Sequence, residues 1–73
     1  MNTLYTFQQL NNAMTNCTCF FFTKETTPDG DQVFALRDGC GDQEGSLFYD
    51  LRDVQDFVTD QQDCFDYLYR YNA

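Results

Sequence analysis

Charge divides this 73-residue sequence into two parts that have to occupy different surfaces of one fold. Residues 1–23 contain no Asp, Glu, Lys or Arg, whereas all twelve acidic residues fall between Glu25 and Asp66. No Pro/Gly/Ser linker and no internal repeat separates the two parts. Because 42% of the residues are hydrophobic, including eight Phe and five Tyr, residues 1–73 are predicted to form a single compact domain.

Hydrophobic periodicity predicts an α+β fold with the element order α-β-β-β-α. The first helix is predicted over residues 3–15, with Asn2 or Thr3 as its N-cap. Its apolar positions recur at helical spacing: Leu4, Phe7, Leu10 and Met14. The β-formers of residues 17–23 predict a central strand, and two further strands at residues 33–36 and 46–49 complete a predicted three-stranded antiparallel sheet.

The last third of the chain predicts a C-terminal helix that begins after Asp50 and packs on the sheet. Its apolar stripe is predicted to contain Val54, Phe57, Val58, Gln61, Cys64, Phe65 and Leu68. Residues 67–71 also alternate with a period of two, so a short final strand is an alternative for this segment.

The residues that usually carry chemistry are sparse. The sequence has no histidine, the commonest general base and metal ligand, so neither an enzyme nor a cofactor is predicted. Two Asp-rich turns do not match the EF-hand loop, so no calcium site is predicted.

The four cysteines lack the paired C-x₂₋₄-C spacing of structural zinc sites, so no metal site is predicted for them either. Cys17 and Cys19 are expected on one face of a strand, Cys64 on the buried helix stripe, and Cys40 in an exposed turn. Reduced thiols are favoured over disulfides, because the N-terminus lacks a signal-peptide pattern and the protein is predicted to be cytoplasmic.

Five aspartates, which we call the aspartate row, recur at helical spacing in the C-terminal third: Asp53, Asp56, Asp60, Asp63 and Asp66. On one continuous helix they would form a ridge about 20 Å long, with one charge per roughly 5 Å. A DNA strand carries one phosphate per about 3.4 Å, so the two charge densities are comparable.

A solvated helix face is the competing interpretation of this row. A functional row is favoured because no basic residue lies between Arg52 and Arg70, and because the chain uses ten Asp but only two Glu, although Asp is the poorer helix former. Like-charge neighbours should also cost about 1 to 2 kcal/mol together. Adaptation to high salt is a second alternative, against which the uncharged first 23 residues argue.

In size, in its formal charge of −8 and in the aspartate row, the chain resembles the small acidic DNA-mimic inhibitors of phages and mobile elements, which include anti-restriction and anti-CRISPR proteins. The resemblance implies an inhibitor that occupies the basic surface of a nucleic-acid-binding protein. Tyr67, Tyr69 and Tyr71 at the end of the row would act as desolvated anchors, with packing across the sheet as their alternative role.

Direct binding to nucleic acid or to an anionic membrane is not expected, because the molecule repels both. No small-molecule substrate is predicted. The alternative function is a non-mimic interaction protein or antitoxin-like regulator, which would bind its partner through the neutral N-terminal helix or a sheet edge.

Overall fold

The structure is a computed structural model that describes residues 4–72. Within these residues it contains three helices and one two-stranded antiparallel sheet, which is a small α+β fold. The elements are α1 (Phe7–Cys17), β1 (Phe21–Thr26), β2 (Gln32–Arg37), α2 (Leu51–Thr59) and α3 (Gln62–Asn72). The predicted order α-β-β-β-α is therefore wrong, because one strand does not form and the C-terminal helix is two helices.

Helix α1 begins after Thr6 because this residue and Gln9 form a capping box. The Gln9 backbone N–H donates to Thr6 Oγ1 (3.2 Å), and the Thr6 backbone N–H donates to Gln9 Oε1 (2.9 Å). The predicted N-caps Asn2 and Thr3 lie outside the described residues, and Leu4 precedes the helix and is exposed.

The helix ends later than predicted, at Cys17, and this displaces the first strand. The Thr18 hydroxyl donates to the Met14 carbonyl (2.7 Å) and accepts from the Phe20 N–H (2.9 Å), which terminates α1 and turns the chain. Strand β1 consequently starts at Phe21 rather than at residue 17. The expectation of a central strand is also wrong, since β1 is hydrogen-bonded to β2 alone among the described strands.

The hairpin directs one face towards the helices. Phe22 pairs with Leu36 and Lys24 pairs with Phe34, and because side chains alternate along a strand these four share a face. The Phe7 ring stacks on Phe34 with a centroid distance of 5.5 Å. On the outer edge of β1, the Phe22 N–H donates to the Asn11 side chain of α1 (2.7 Å), which joins the helix to the strand.

The predicted third strand at residues 46–49 is wrong, because only Phe48 pairs in a ladder-like manner. Phe34 and Phe48 exchange two backbone hydrogen bonds of 2.8 and 2.9 Å. Gly41 and Gly45 adopt φ values of 89° and 69°, which are incompatible with extended backbone. The chain therefore turns before residues 46–49, and within this segment only Phe48 pairs with β2.

The predicted C-terminal helix is interrupted at Asp60 and Gln61. The Gln61 N–H bonds to the Val58 carbonyl, a tightened i−3 bond, before α3 starts. Thr59 contributes to the interruption because its hydroxyl donates to the Gln55 carbonyl (2.8 Å), and such back-bonding bends helices. The alternative strand at residues 67–71 is wrong as well, since these residues belong to α3.

The interruption at Asp60 and Gln61 changes which side chains of α2 and α3 face the core. Val54, Val58, Cys64 and Leu68 are buried as predicted, but Phe57 and Phe65 are 37% and 47% exposed. Helix α3 packs mainly against α1, which also contacts α2 and β1 and so lies at the centre of the fold. In residues 4–72 there is no helix long and apolar enough to cross a membrane.

The hydrophobic core combines side chains from all three helices and from the hairpin. Its members are Leu10, Ala13, Met14, Phe22, Phe34, Leu36, Val54, Val58, Cys64 and Leu68.

Candidate functional site

Three members of the aspartate row share the outer face of α2. Asp53, Asp56 and Asp60 are exposed, whereas Val54 and Val58 on the same helix are fully buried. At about 100° per residue, the three aspartates lie within about 60° of each other and between about 100° and about 160° from the two valines. This part of the row therefore points away from the core.

The other two members lie on α3, beyond the helix break. Asp63 and Asp66 are both exposed, but they belong to a helix that starts anew at Gln62. The prediction of one straight ridge on a continuous helix is therefore wrong. All five aspartates face solvent, on two consecutive helices rather than on one.

The break also changes the energetics of the row. Asp53 lies in the first turn of α2 and Asp63 in the first turn of α3, where the helix dipole favours a negative charge. Asp63 would lie in the interior of the predicted single helix, and the start of α3 gives it a favourable position instead. Asp56, Asp60 and Asp66 remain without this compensation, and Asp60 is the C-cap of α2, where the dipole disfavours an acidic side chain.

The charges of the row are not neutralised within the described part of the chain. Among residues 4–71, the ion pair between Arg37 and Glu25 is the one that brings opposite charges within 4.0 Å. Asp66 accepts a hydrogen bond from the Gln62 amide (2.9 Å), which leaves its charge intact. The row therefore presents to solvent negative charge that has no ion-pair partner among the described residues.

The three predicted tyrosine anchors do not form one patch. Tyr67 is half-buried, and its ring lies 4.6 Å from that of Tyr71 between centroids. Tyr69 is 70% exposed and points about 200° away from Tyr67 around the helix. It shares its face of α3 with Phe65, an exposed aromatic that was predicted to be buried.

A cavity of about 320 Å³ brings four of the predicted residues together between α1 and α3. Asp63, Asp66, Tyr67 and Tyr71 line it on α3. Asn16, Cys17 and Arg70 complete the lining and were not predicted. Arg70 could have been predicted near Asp66 and Asp63 from helical spacing alone. Asn16 and Cys17 could not, because they reach the cavity only through the packing of α1 against α3.

The cysteines are placed partly as expected. Cys40 is exposed and Cys64 is buried, as predicted. The expectation that Cys17 and Cys19 share a strand face is wrong, because Cys17 ends α1 and Cys19 lies in the following loop. Within the described residues, no three His, Cys, Asp or Glu side chains are grouped so that they could hold a metal ion.

A second polar cluster, missed by sequence reasoning, lies on the hairpin face opposite the helices. The Thr23 hydroxyl donates to Glu25 Oε2 (2.7 Å), and Arg37 Nε donates to the same oxygen (3.2 Å). Arg37 also donates to the Gly41 carbonyl (2.9 Å). The hydrogen bond from Thr23, then that from Arg37, holds the pKa of Glu25 below its ordinary value.

Replacing Glu25 with Gln is expected to destabilise the hairpin in a pH-dependent manner. Because the pKa of Glu25 is lowered by folding, its ionised form contributes stability above the ordinary glutamate pKa, and this contribution is lost as the pH falls through the folded pKa. Thermal melting should show a lower midpoint for the variant at about pH 7 and no difference at about pH 2. A difference that persists unchanged at the acidic end would contradict the assigned role of the carboxylate.

Comparison with protein-family models, curated protein sequences and solved structures finds no match to this chain.

Proposed function

We propose that this protein is a small acidic inhibitor that binds the basic nucleic-acid-binding surface of another protein and blocks access of nucleic acid to it. The observation that carries the proposal is the aspartate row, five exposed carboxylates on consecutive helices with no ion-pair partner among the described side chains. The role is one of binding and involves no catalysis. The proposed site of action is the cytoplasm.

Electrostatic attraction supplies the first step of this mechanism. An excess of exposed negative charge accelerates encounter with a positive surface, and it makes the complex sensitive to salt. The Lys and Arg residues that normally contact phosphates would contact Asp53, Asp56 and Asp60 on α2 and the two aspartates of α3. Nucleic acid would then be excluded by direct competition for these cations.

Exposed aromatic side chains next to the row supply a second, short-range contribution. Tyr69 and Tyr71 are 70% and 65% exposed, and Phe65 is 47% exposed. Large rings that lose water at an interface often contribute most of its binding energy. We propose Tyr69 and Tyr71 as anchors on opposite sides of α3, and Tyr67, which is half-buried, as a support for Tyr71.

The alternative, a regulator that binds through the neutral helix or a sheet edge, stays a prediction with weaker support. Helix α1 buries Leu10, Ala13 and Met14 and is packed by three other elements, so its free surface is a narrow polar stripe. Asn11 occupies part of the β1 edge by accepting from Phe22.

A competition assay tests the proposal. The partner is first isolated by affinity capture from the native host lysate and purified, and it is then loaded with a fluorescent nucleic acid that it binds. The inhibitor is expected to displace the nucleic acid stoichiometrically, and excess nucleic acid should in turn displace the inhibitor. Formation of a ternary complex in which both stay bound would contradict mimicry and favour the alternative.

A further inference from the structure

Two thiols from distant parts of the sequence meet where α1 packs against α3. The Cys17 thiol donates to the Asp63 carbonyl (Sγ–O 3.6 Å), which belongs to the residue directly before Cys64. The Cys64 thiol in turn donates to the Ala13 carbonyl (3.8 Å), one helical turn before Cys17. These reciprocal contacts place the two side chains beside each other in the helix interface.

The two thiols differ in access. Cys64 is 0% exposed and also touches the Met14 sulfur (3.9 Å). Cys17 is partly exposed and lines the cavity of about 320 Å³ between α1 and α3. A small reagent can therefore reach Cys17 through this cavity, whereas Cys64 lies behind it.

We propose that Cys17 is a thiol-modification site for a small cationic disulfide, and that Cys64 converts the adduct into an intramolecular disulfide between α1 and α3. The cationic class is favoured because two carboxylates and one guanidinium line the cavity, from Asp63, Asp66 and Arg70.

The chemistry is two successive thiol–disulfide exchanges. The Cys17 sulfur attacks one sulfur of the reagent, the reagent S–S bond breaks, and one reagent thiol leaves with the proton that Cys17 releases. The Cys64 sulfur then attacks the Cys17 sulfur, and the second reagent thiol leaves with the proton from Cys64. Two protein thiols are oxidised to one disulfide while the reagent is reduced to two thiols.

The order of the two steps follows from the environment of Cys64. Burial raises the pKa of Cys64 to about 11, and the neighbouring Cys17 thiol acts in the same direction. Cys64 is therefore protonated at neutral pH and reacts slowly with any external reagent. Once Cys17 carries the leaving group beside it, the second exchange is intramolecular and gains from proximity.

The test treats the native protein with cystamine, quenches free thiols with N-ethylmaleimide and maps disulfides by mass spectrometry without reduction. The expected main product links Cys17 to Cys64. The proposal is overturned if the main product instead links Cys17 to Cys19, if it involves Cys40, or if Cys64 remains a free thiol while Cys17 is modified.

Two variants sharpen the result. Cys64→Ala, a change to a small apolar side chain at a buried position, is expected to retain the cystamine adduct on Cys17, because the proposed resolving thiol is absent. Cys19→Ala is the matched control in an exposed loop and should still form the Cys17–Cys64 disulfide. Circular dichroism verifies that both variants are folded. If Cys64→Ala does not fold, the disulfide mapping of the unsubstituted protein still decides the proposal.

Discussion

Phe22→Ala is expected to lower the free energy of unfolding by about 3 to 5 kcal/mol. The Phe22 side chain is 2% exposed, and its ring lies edge-on to those of Phe48 and Phe57 at centroid distances of 5.4 and 6.0 Å. Truncation would leave a cavity where the hairpin meets α2 and the loop between β2 and α2 that contains Phe48. For a domain of this size the total stability is roughly 4 to 11 kcal/mol, so much of it would be lost.

Urea denaturation followed by circular dichroism measures this loss. Phe65→Ala is the matched control, because it removes the same ring from a side chain that is 47% exposed, and it should cost about 1 kcal/mol or less. Equal losses in the two variants would mean that Phe22 is not the core position described.

The second large effect concerns binding. Replacing Asp56, Asp60 and Asp66 together with Asn is expected to reduce the rate of association with the basic partner by about tenfold or more at low salt. These three members of the aspartate row are the ones that no helix N-terminus stabilises. Removing their charges should therefore leave the thermal midpoint unchanged or raise it.

A control with the same change in charge separates the row from net charge. Asp29, Asp31 and Asp42 are exposed loop residues whose side chains accept no hydrogen bond from described residues. Converting all three to Asn changes the net charge from −8 to −5, as the first variant does (−8 + 3 = −5), but it leaves α2 and α3 intact. Equal slowing by the two triple variants would show that the placement of the charges does not matter.

Local patterns predicted the buried positions of the helices better than the helix boundaries or the sheet. The buried positions Leu10, Met14, Val54 and Val58 follow helical spacing, which is a strong signal when one face is apolar. The third strand was expected from the β-forming residues 46–49, but pairing depends on the partner and on the turns before it. Two glycines with positive φ set those turns, and composition does not reveal which φ a glycine adopts.

The helix break shows the same limit at the candidate site. Phe57 and Phe65 fit a single apolar stripe, yet they are partly exposed, because the chain restarts its helix at Gln62. Thr59 and Asp60 are poor helix formers, but such residues occur in many unbroken helices. The exposure of the aspartate row followed from its polarity alone, whereas its division between two helices required the packing of α3 on α1.

The central claim is that the exposed carboxylates of the aspartate row, which have no ion-pair partner among the described residues, bind a basic surface. Its most direct test is the dissociation constant of the purified complex between about 50 and about 500 mM salt, measured for the unsubstituted protein and for the Asp56/Asp60/Asp66→Asn variant. We expect the affinity of the unsubstituted protein to fall by at least about tenfold over this range, and the variant to show a distinctly shallower dependence. An affinity that is independent of salt, or equal slopes for the two proteins, would contradict the proposed function.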